Sequence, residues 1–246
     1  MYNKKAILGF IPARGGSRGL PRKNILPLLG KPLIAWTIQQ ALAGRYFDKV
    51  IVNTDDEEIA KVSRQSGAEV PFMRPKELAA ENTPIIDVIF HTLEYFNKQN
   101  IYFDYIALLE PTSPLRKNED FDNASRALIE NERTADSLVS VGKVHLEHPS
   151  IIKKINNGYV MPYEITQKNI YRRQDLEDVY FPYGVIYMSK TNDLFKYKSF
   201  YQERTIPYFI ERWQNYEIDD EIDFIITERI MQKYSTLFSI GNKQNG

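Results

Sequence analysis

Residues 10–32 read FIPARGGSRGLPRKNILPLLGKP, and this loop decides how the rest of the chain is interpreted. The run that leads into it, KAILGFIP, has the composition of a buried strand. Glycines lie among four basic residues of the loop: Arg14, Arg18, Arg22 and Lys23. Glycine lets the backbone approach a ligand and turn N–H groups toward an anion, while Arg and Lys supply charge for phosphate oxygens. The pattern favours a phosphate site at the end of a strand, although a solvated Arg-rich turn has the same composition.

Composition limits the classes of protein to consider. The 246 residues suit one domain with a sizeable core, and 32 basic side chains balance 32 acidic ones, so nucleic acid is not expected as the main partner. Because there is no Cys, disulfides, thiolate metal sites and Cys nucleophiles are excluded. No apolar run approaches the roughly 18 residues of a membrane helix, and the apolar N-terminal run is too short for a signal peptide. We therefore expect a soluble cytoplasmic protein with no membrane partner.

Apolar runs and helical patterns alternate along the first half of the chain. Strands are predicted at 5–12, 49–54, 68–74, 103–111 and 137–144, and helices at 31–44, 55–67, 83–99 and 118–131. This alternation predicts an α/β fold with a mainly parallel sheet and helices on both faces. Ligands in such sheets bind beyond the carboxyl ends of strands, where the opening loop and LLEPTSPLR both lie.

The alternation breaks at about 145–178, a polar and aromatic stretch without a helical period. Its Ile, Tyr and Val content is too high for a disordered tail, so we predict a segment inserted into a single domain that spans 1–246. Such a segment needs a surface to pack on, and we expect a homodimer. The alternative is a monomer in which the segment folds back on its own sheet.

Two standard phosphate motifs do not occur in the opening loop. The spacing of Gly15, Gly16 and Gly19 does not fit G-x-G-x-x-G, and G-x-x-x-x-G-K-[ST] is absent. IPARGGSRGLPRKN followed by KPLIAWTI, and then VIVNTDDEEIA, LLEPTSPLR, YRRQDL, GVIY and EIDDEIDF, come in one order along nearly the whole chain. In these motifs the chain resembles the acylneuraminate cytidylyltransferases, which are the CMP-sialic acid synthetases and their relatives for other nonulosonic acids.

The resemblance implies a Rossmann-like nucleotidyltransferase fold, a glycosyltransferase-A-like three-layer sandwich with a small dimerisation subdomain. It implies an enzyme that joins CTP to a 2-keto sugar acid with Mg²⁺, or with Mn²⁺, and releases pyrophosphate. In that family the anomeric hydroxyl of the sugar attacks the α-phosphorus of CTP. Two alternatives stay open, namely a related synthetase for an eight-carbon ulosonic acid and a nucleotide-binding module that has lost its chemistry.

The resemblance also assigns residues. Arg14, Lys23 and Asp219 are the expected catalytic residues, because cations at the leaving pyrophosphate stabilise its developing charge. The expected nucleotide-binding residues are Ala13, Arg14, Gly15, Ser17, Lys23, Asn24, Thr83, Pro111, Thr112, Ser113 and Arg116. The expected sugar-binding residues are Glu110, Arg173, Gln174, Tyr183 and Tyr187. Asp219 and Glu217 are the expected metal ligands, with Asp219 favoured, since residues two apart on an extended segment face the same side.

The chain departs from the family pattern in three places. Glu110 replaces a usual Gln, which changes a group that donates and accepts hydrogen bonds into an acceptor. Glu217 stands where Asp is typical. Phe181-Pro182-Tyr183-Gly184 replaces Arg-Pro-Asn-Gly, and this change predicts a more apolar pocket that suits deoxy or N-acylated sugars.

Other titratable clusters have simpler explanations. The acids of NTDDEE fit a helix cap and first turn, as do Asp220, Glu221 and Asp223. His145 and His148 lack a third ligand for zinc, so a polar loop is the favoured interpretation. No general base and no Ser-His-Asp set can be identified, which argues against covalent catalysis.

Overall fold

A six-stranded sheet forms the centre of the computed structural model, which describes residues 2–16, 19–163 and 176–238. The strands are β1 (Ile7–Pro12), β2 (Pro27–Leu28), β3 (Lys31–Pro32), β4 (Lys49–Asn53), β5 (Tyr105–Leu108), β6 (Ser137–Lys143), β7 (Lys153–Asn156), β8 (Tyr159–Pro162), β9 (Tyr180–Lys190) and β10 (Thr205–Phe209). The sheet order is β10-β6-β9-β5-β1-β4, and two small antiparallel pairs, β2–β3 and β7–β8, lie outside it.

Helices cover both faces of this sheet. They are α1 (Leu33–Ala43), α2 (Glu57–Gln65), α3 (Ile85–Asn97), α4 (Asp120–Glu130), α5 (Thr191–Tyr197) and α6 (Glu221–Lys233). Buried side chains of α1, α2 and α4 share one core cluster with the sheet, and those of α3 and α5 share another. This arrangement confirms the predicted α/β fold with three layers.

Strand β9 is the exception to the parallel arrangement. It pairs antiparallel with both β5 and β6, whereas β1 pairs parallel with β4 and β5, and β10 parallel with β6. The β6–β9 register shifts between Val139 and Val141, and there the Ser140 hydroxyl lies within hydrogen-bond distance of the carbonyls of Tyr183 and Ile186. Because β9 runs in the opposite direction, its first residues lie at the edge of the sheet where the parallel strands end.

The predicted strand at 68–74 is wrong. This segment makes only single bridges, from Glu69 to Ile51 and from Met73 to Thr54. Pro71 lies between the two bridges and has no N–H to donate, which is consistent with a segment that follows β4 without a continuous ladder.

A third core cluster joins the opening loop to the C-terminal part of the described chain. Leu28 and Leu33 pack in it with Leu115, Ile218 and Met231. Burying these side chains fixes the residues beside them, so the loop before α1 and the segment before α6 are held against each other.

The segment at 145–178 is partly described. Its β7–β8 hairpin pairs Ile155 with Val160, and these side chains are 71% and 69% exposed. Tyr159 is 74% exposed, so the apolar residues of this hairpin lack a core within the described chain. None of the helices in the described part of the chain is long and apolar enough to cross a membrane.

Candidate active site

A cavity of about 370 Å³ opens beyond the carboxyl ends of β1 and β5. Its lining comes from three parts of the sequence: Pro12, Arg14, Gly19, Lys23, Asn24, Glu110, Pro111, Thr112 and Asp219. Most of these residues were predicted from the opening loop, LLEPTSPLR and EIDDEIDF. The structure therefore brings these three motifs together at one place.

Backbone contacts hold the start of the opening loop in place. The Ala13 N–H donates to the Asn53 carbonyl at 3.0 Å, and the Gly15 N–H donates to Asp55 Oδ1 at 2.9 Å. Asn24 is buried and its Nδ2 donates to the Arg14 carbonyl at 3.1 Å. With its carbonyl fixed in this way, Arg14 is positioned to extend its guanidinium into the cavity.

Lys23 and Asp219 form the ion pair of the site. Lys23 Nζ lies 3.0 Å from Asp219 Oδ1 and donates to the Ile218 carbonyl at 2.6 Å. The Lys23 side chain is only 13% exposed, whereas that of Asp219 is 84% exposed. The ammonium is thus fixed within the protein, while the carboxylate remains open to a ligand.

Gly19 sets the spacing between the two loops that carry this pair. A Cβ atom at Gly19 would lie 2.2 Å from the Asp219 carbonyl oxygen, far inside van der Waals contact. Since the obstacle is backbone, a side chain at position 19 would push the loops apart. The close approach of Lys23 to Asp219 therefore requires glycine here.

Glu110 lines the cavity, and a second carboxylate, Glu217, lies close enough for its charge to raise the pKa of Glu110. Glu217 Oε1 accepts from the Ser113 hydroxyl at 2.7 Å and from the Gly184 N–H. A Cβ at Gly184 would lie 2.4 Å from Glu110 Oε2, so the Glu110 side chain packs directly on this glycine. Burial, and secondarily the charge of Glu217, raises the pKa of Glu110 to about 7, while Arg116 opposes the shift.

The raised pKa of Glu110 predicts how stability depends on pH. The folded protein holds this proton more tightly than the unfolded chain, whose Glu pKa is near 4.5. The resulting stability is fully present below about pH 4.5 and is lost as pH rises through about 7. We expect Glu110→Gln to raise the free energy of unfolding at pH 8 by about 2 kcal/mol. This is less than the whole pKa shift would give, because water reaches the cavity and screens the charge.

Urea unfolding of the ligand-free protein at pH 5 and pH 8 measures this effect. The free energies of unfolding of the variant and the parent should differ at pH 8 and agree closely at pH 5. An equal difference at both pH values would show that packing, rather than a proton on Glu110, separates the two proteins.

The family follows from comparison with known sequences. A sequence model described as Cytidylyltransferase matches residues 8–241. The chain belongs to the cytidylyltransferase family. It is 36% identical over 229 residues to the CMP-N,N'-diacetyllegionaminic acid synthase of Legionella pneumophila, covering 92% of this chain and 96% of that one. It is 33% identical to the N-acylneuraminate cytidylyltransferase of Escherichia coli over 92% of this chain, and the match spans only 52% of that relative.

Solved structures agree on the fold of this cytidylyltransferase. The structure of CMP:2-keto-3-deoxy-manno-octonic acid synthetase complexed with CTP superposes with a TM-score of 0.66 and 18% identity. The match covers 93% of this chain and 99% of that one. At this identity the likeness concerns the fold alone.

Arg116 of the cytidylyltransferase has a different place from the one predicted. Its side chain is fully buried, and four of its N–H groups donate to the carbonyls of Val185, Glu110 and Gly184 and to Thr37 Oγ1. A guanidinium enclosed in this way does not reach a nucleotide in the cavity. It instead ties the segment after β5, which carries Glu110, to β9.

Several other predicted residues do not line the cavity. Ser113 is buried and bonds Glu217 rather than lining the opening. Thr83 lies just before α3, where its hydroxyl donates to the Glu77 carbonyl, away from the lining. Tyr187 packs on Phe200 on the α3 face of the sheet. Ser17, Arg173 and Gln174 lie outside the described residues.

Arg74 is a basic residue near the opening loop that was not predicted from the sequence as part of the site. Arg74 is buried, and its Nε and Nη2 donate to the side chain and carbonyl of Asn53 at 2.5 and 2.8 Å. Burial lowers the pKa of Arg74 to about 10; the Asp55 charge raises it and the nearby Arg14 lowers it further. Arg74 comes close to Arg14 only in the folded chain, so no sequence pattern indicated it.

Arg22 lies in the opening loop but serves the scaffold. Its backbone is left-handed, with φ of 58°, and its guanidinium pairs with Asp56 and Glu58 at the start of α2. Asp56 is at the same time the N-cap of α2. Arg22 thereby fastens the loop to the helix instead of pointing at the cavity.

The helix cap predicted at the start of α6 is confirmed. Asp220 caps α6 by accepting from the N–H groups of Ile222 and Asp223. His148 is buried, with Nε2 within hydrogen-bond distance of the Glu177 carbonyl and Nδ1 accepting from Ser150. In the described ranges, no three carboxylates, histidines or cysteines cluster as a preformed metal site.

The carboxylates present do fit a hard cation that is shared with a ligand. Mg²⁺ prefers oxygen and is commonly held by one or two carboxylates together with substrate phosphates. Asp219 offers an exposed carboxylate at the mouth of the cavity, while one oxygen of Glu217 is already occupied by Ser113 and Gly184. The contacts therefore favour Asp219 as the direct ligand, as the sequence predicted.

Proposed function

We propose that this enzyme transfers CMP from CTP to the anomeric hydroxyl of a nonulosonic acid and releases pyrophosphate. One observation carries the proposal: Arg14, Lys23 and Asp219, which come from opposite ends of the sequence, meet in a single cavity within a cytidylyltransferase fold. Two cations and one exposed carboxylate are the groups that a triphosphate and its divalent ion require.

In the proposed reaction, the anomeric oxygen forms a bond to the α-phosphorus as the bond from that phosphorus to the oxygen between the α- and β-phosphates breaks. That oxygen leaves as part of pyrophosphate. The hydroxyl proton passes to solvent or to a basic oxygen in the site. Lys23 and Arg14 stabilise the charge that develops on the leaving pyrophosphate. Lys23 Nζ suits this role because its backbone contact at Ile218 keeps it in place when it exchanges Asp219 for phosphate oxygens.

We propose Mg²⁺ as the cofactor, with Mn²⁺ as a substitute. Asp219 would hold it, and Glu217 would contribute only through its remaining oxygen. When bound, the ion supplies Lewis-acid stabilisation of phosphate oxygens. The protein's part is to keep Asp219 extended and exposed, which the hydrogen bond from its N–H to Asp223 Oδ2 supports.

The proposed sugar acid is inferred from the relatives that this chain resembles. Proteins named for legionaminic and N-acylneuraminic acids match at 36% and 33% identity, whereas the octonic acid synthetase matches at 18%. These identities favour a nine-carbon substrate over the eight-carbon alternative. Pyrophosphate release from CTP, measured with a panel of sugar acids of both lengths, tests the proposal directly. CTP binding without release for any acid would favour the non-catalytic alternative.

We also propose that the enzyme is a cytoplasmic homodimer whose 145–178 segment contacts the partner. The absence of Cys is consistent with a reducing compartment. An isolated two-stranded hairpin is marginal in water, and the exposed Ile155, Tyr159 and Val160 give this one a surface that requires cover.

Light scattering at micromolar concentration tests the assembly. The parent should have twice the mass of the chain, and a variant with both Ile155→Asp and Val160→Asp should be monomeric, because charge replaces a paired apolar face. Asn156→Asp adds charge in the same hairpin without removing an apolar side chain and should remain dimeric. A monomeric parent would refute the proposed homodimer.

A further inference from the structure

Arg22 stands immediately before Lys23 and has an unusual backbone conformation. Its φ of 58° and ψ of 23° lie in the left-handed region, which glycine enters freely but a residue with a Cβ atom enters at a cost in free energy. A short 3-10 turn, Lys23–Ile25, follows, and the Ile25 N–H donates to the Arg22 carbonyl at 3.0 Å. The conformation of residue 22 therefore sets the direction in which the Lys23 side chain leaves the loop.

Two carboxylates at the start of α2 hold the Arg22 side chain. Its Nη1 lies 2.5 Å from Asp56 Oδ2, and its Nη2 pairs with Glu58. Asp56 is itself fixed, because its Oδ1 accepts from the N–H groups of Glu58 and Ile59 as the N-cap of α2. The guanidinium cannot move away from this capped helix end without breaking both pairs, so the pairs oppose a change in the backbone of residue 22.

The start of α2 also contacts the other end of the opening loop. A Cβ atom at Gly15 would lie 2.9 Å from Asp56 Oδ2, so this carboxylate packs against the Gly15 backbone. The Gly15 N–H in turn donates to Asp55 Oδ1 at 2.9 Å. Neither Asp55 nor Asp56 lines the cavity. The first residues of α2 and its cap therefore support the loop from behind, next to Arg14 at one end and next to Lys23 at the other.

We propose that Arg22 is a positioning residue for the reaction, whose ion pairs with the start of α2 hold the left-handed backbone that directs Lys23 toward the leaving pyrophosphate. The inference rests on the proposed function. With the backbone in this conformation, Lys23 Nζ donates to the Ile218 carbonyl at 2.6 Å. If residue 22 moved to the right-handed region, the chain would turn at the peptide bond that joins it to Lys23, and the ammonium would be displaced from this contact.

Steady-state pyrophosphate release separates this role from a purely structural one. Arg22→Ala should lower kcat about 10-fold, because a displaced Lys23 stabilises the leaving group less well, while the KM for the sugar acid stays at the parent's value. Arg22→Gly should have a kcat about threefold above that of Arg22→Ala, because glycine adopts the left-handed backbone without strain. In a Lys23→Ala background, Arg22→Ala should change kcat by less than about twofold, since the group that it positions is gone.

The Arg22 side chain is 41% exposed, so its variants should fold, and thermal melts check this. Arg64→Ala, at an exposed arginine in the last turn of α2, is the matched control and should keep the parent's kcat. A parental kcat in Arg22→Ala, or equal losses in the alanine and glycine variants, would overturn the inference and leave the proposed function intact. The same holds if the full loss persists in the Lys23→Ala background, because Arg22 would then act independently of Lys23. No pyrophosphate from the parent with any sugar acid would overturn both.

Discussion

Replacing Lys23 with alanine should lower kcat by about 100- to 1,000-fold, the usual cost of losing one fixed electrostatic donor to a transition state. Lys23 Nζ is held by the Ile218 carbonyl and is only 13% exposed, so it reaches the leaving group without having to be ordered first. Steady-state pyrophosphate release at saturating CTP measures the loss.

Lys61→Ala provides the matched control, since Lys61 is an exposed lysine on α2 outside the cavity lining. It should retain parental turnover. Turnover in Lys23→Ala equal to that of the control would remove Lys23 from the chemistry and leave its contact with Asp219 as a structural feature only.

Asp219→Asn should remove at least 99% of the activity and leave the fold unchanged. The substitution keeps the shape of the side chain but removes the charge that we propose holds Mg²⁺. The 84% exposure of the Asp219 side chain means that its pair with Lys23 contributes little to stability, less than about 1 kcal/mol. Activity and stability should therefore respond very differently to this one change.

Three measurements together make this prediction specific. Thermal melts of Asp219→Asn should match the parent, and pyrophosphate release should be lost across a Mg²⁺ titration. Glu203→Gln, at an exposed carboxylate before β10, should show the same dependence of pyrophosphate release on Mg²⁺ as the parent. Parental turnover in excess chelator would contradict the metal role, whatever the variant does.

The features that could be predicted from the sequence were those that local chemistry determines. The apolar run before the opening loop predicted a buried strand. The acidic residues at the starts of α2 and α6 predicted helix N-caps, and both caps form. Glycine density and basic charge favoured a phosphate site in the loop, and the structure places Arg14 and Lys23 in one cavity.

The features that could not be predicted depend on long-range neighbours. Nothing local in YGVIYMS shows that β9 inserts antiparallel between β5 and β6. Arg116 was assigned to the nucleotide because its guanidinium suits phosphate, but the carbonyls that enclose it come from β9 and from Glu110. Arg74 was missed because its relation to Arg14 exists only after the chain has folded.

The contact between Gly19 and the Asp219 carbonyl also bears on the order of folding. These residues are 200 positions apart, so bringing them together has a larger entropy cost than forming a local contact. Until the segment before α6 docks, a growing chain has its phosphate loop without the facing carboxylate. We therefore expect the cavity to be complete only when the segment before α6 has docked on the opening loop.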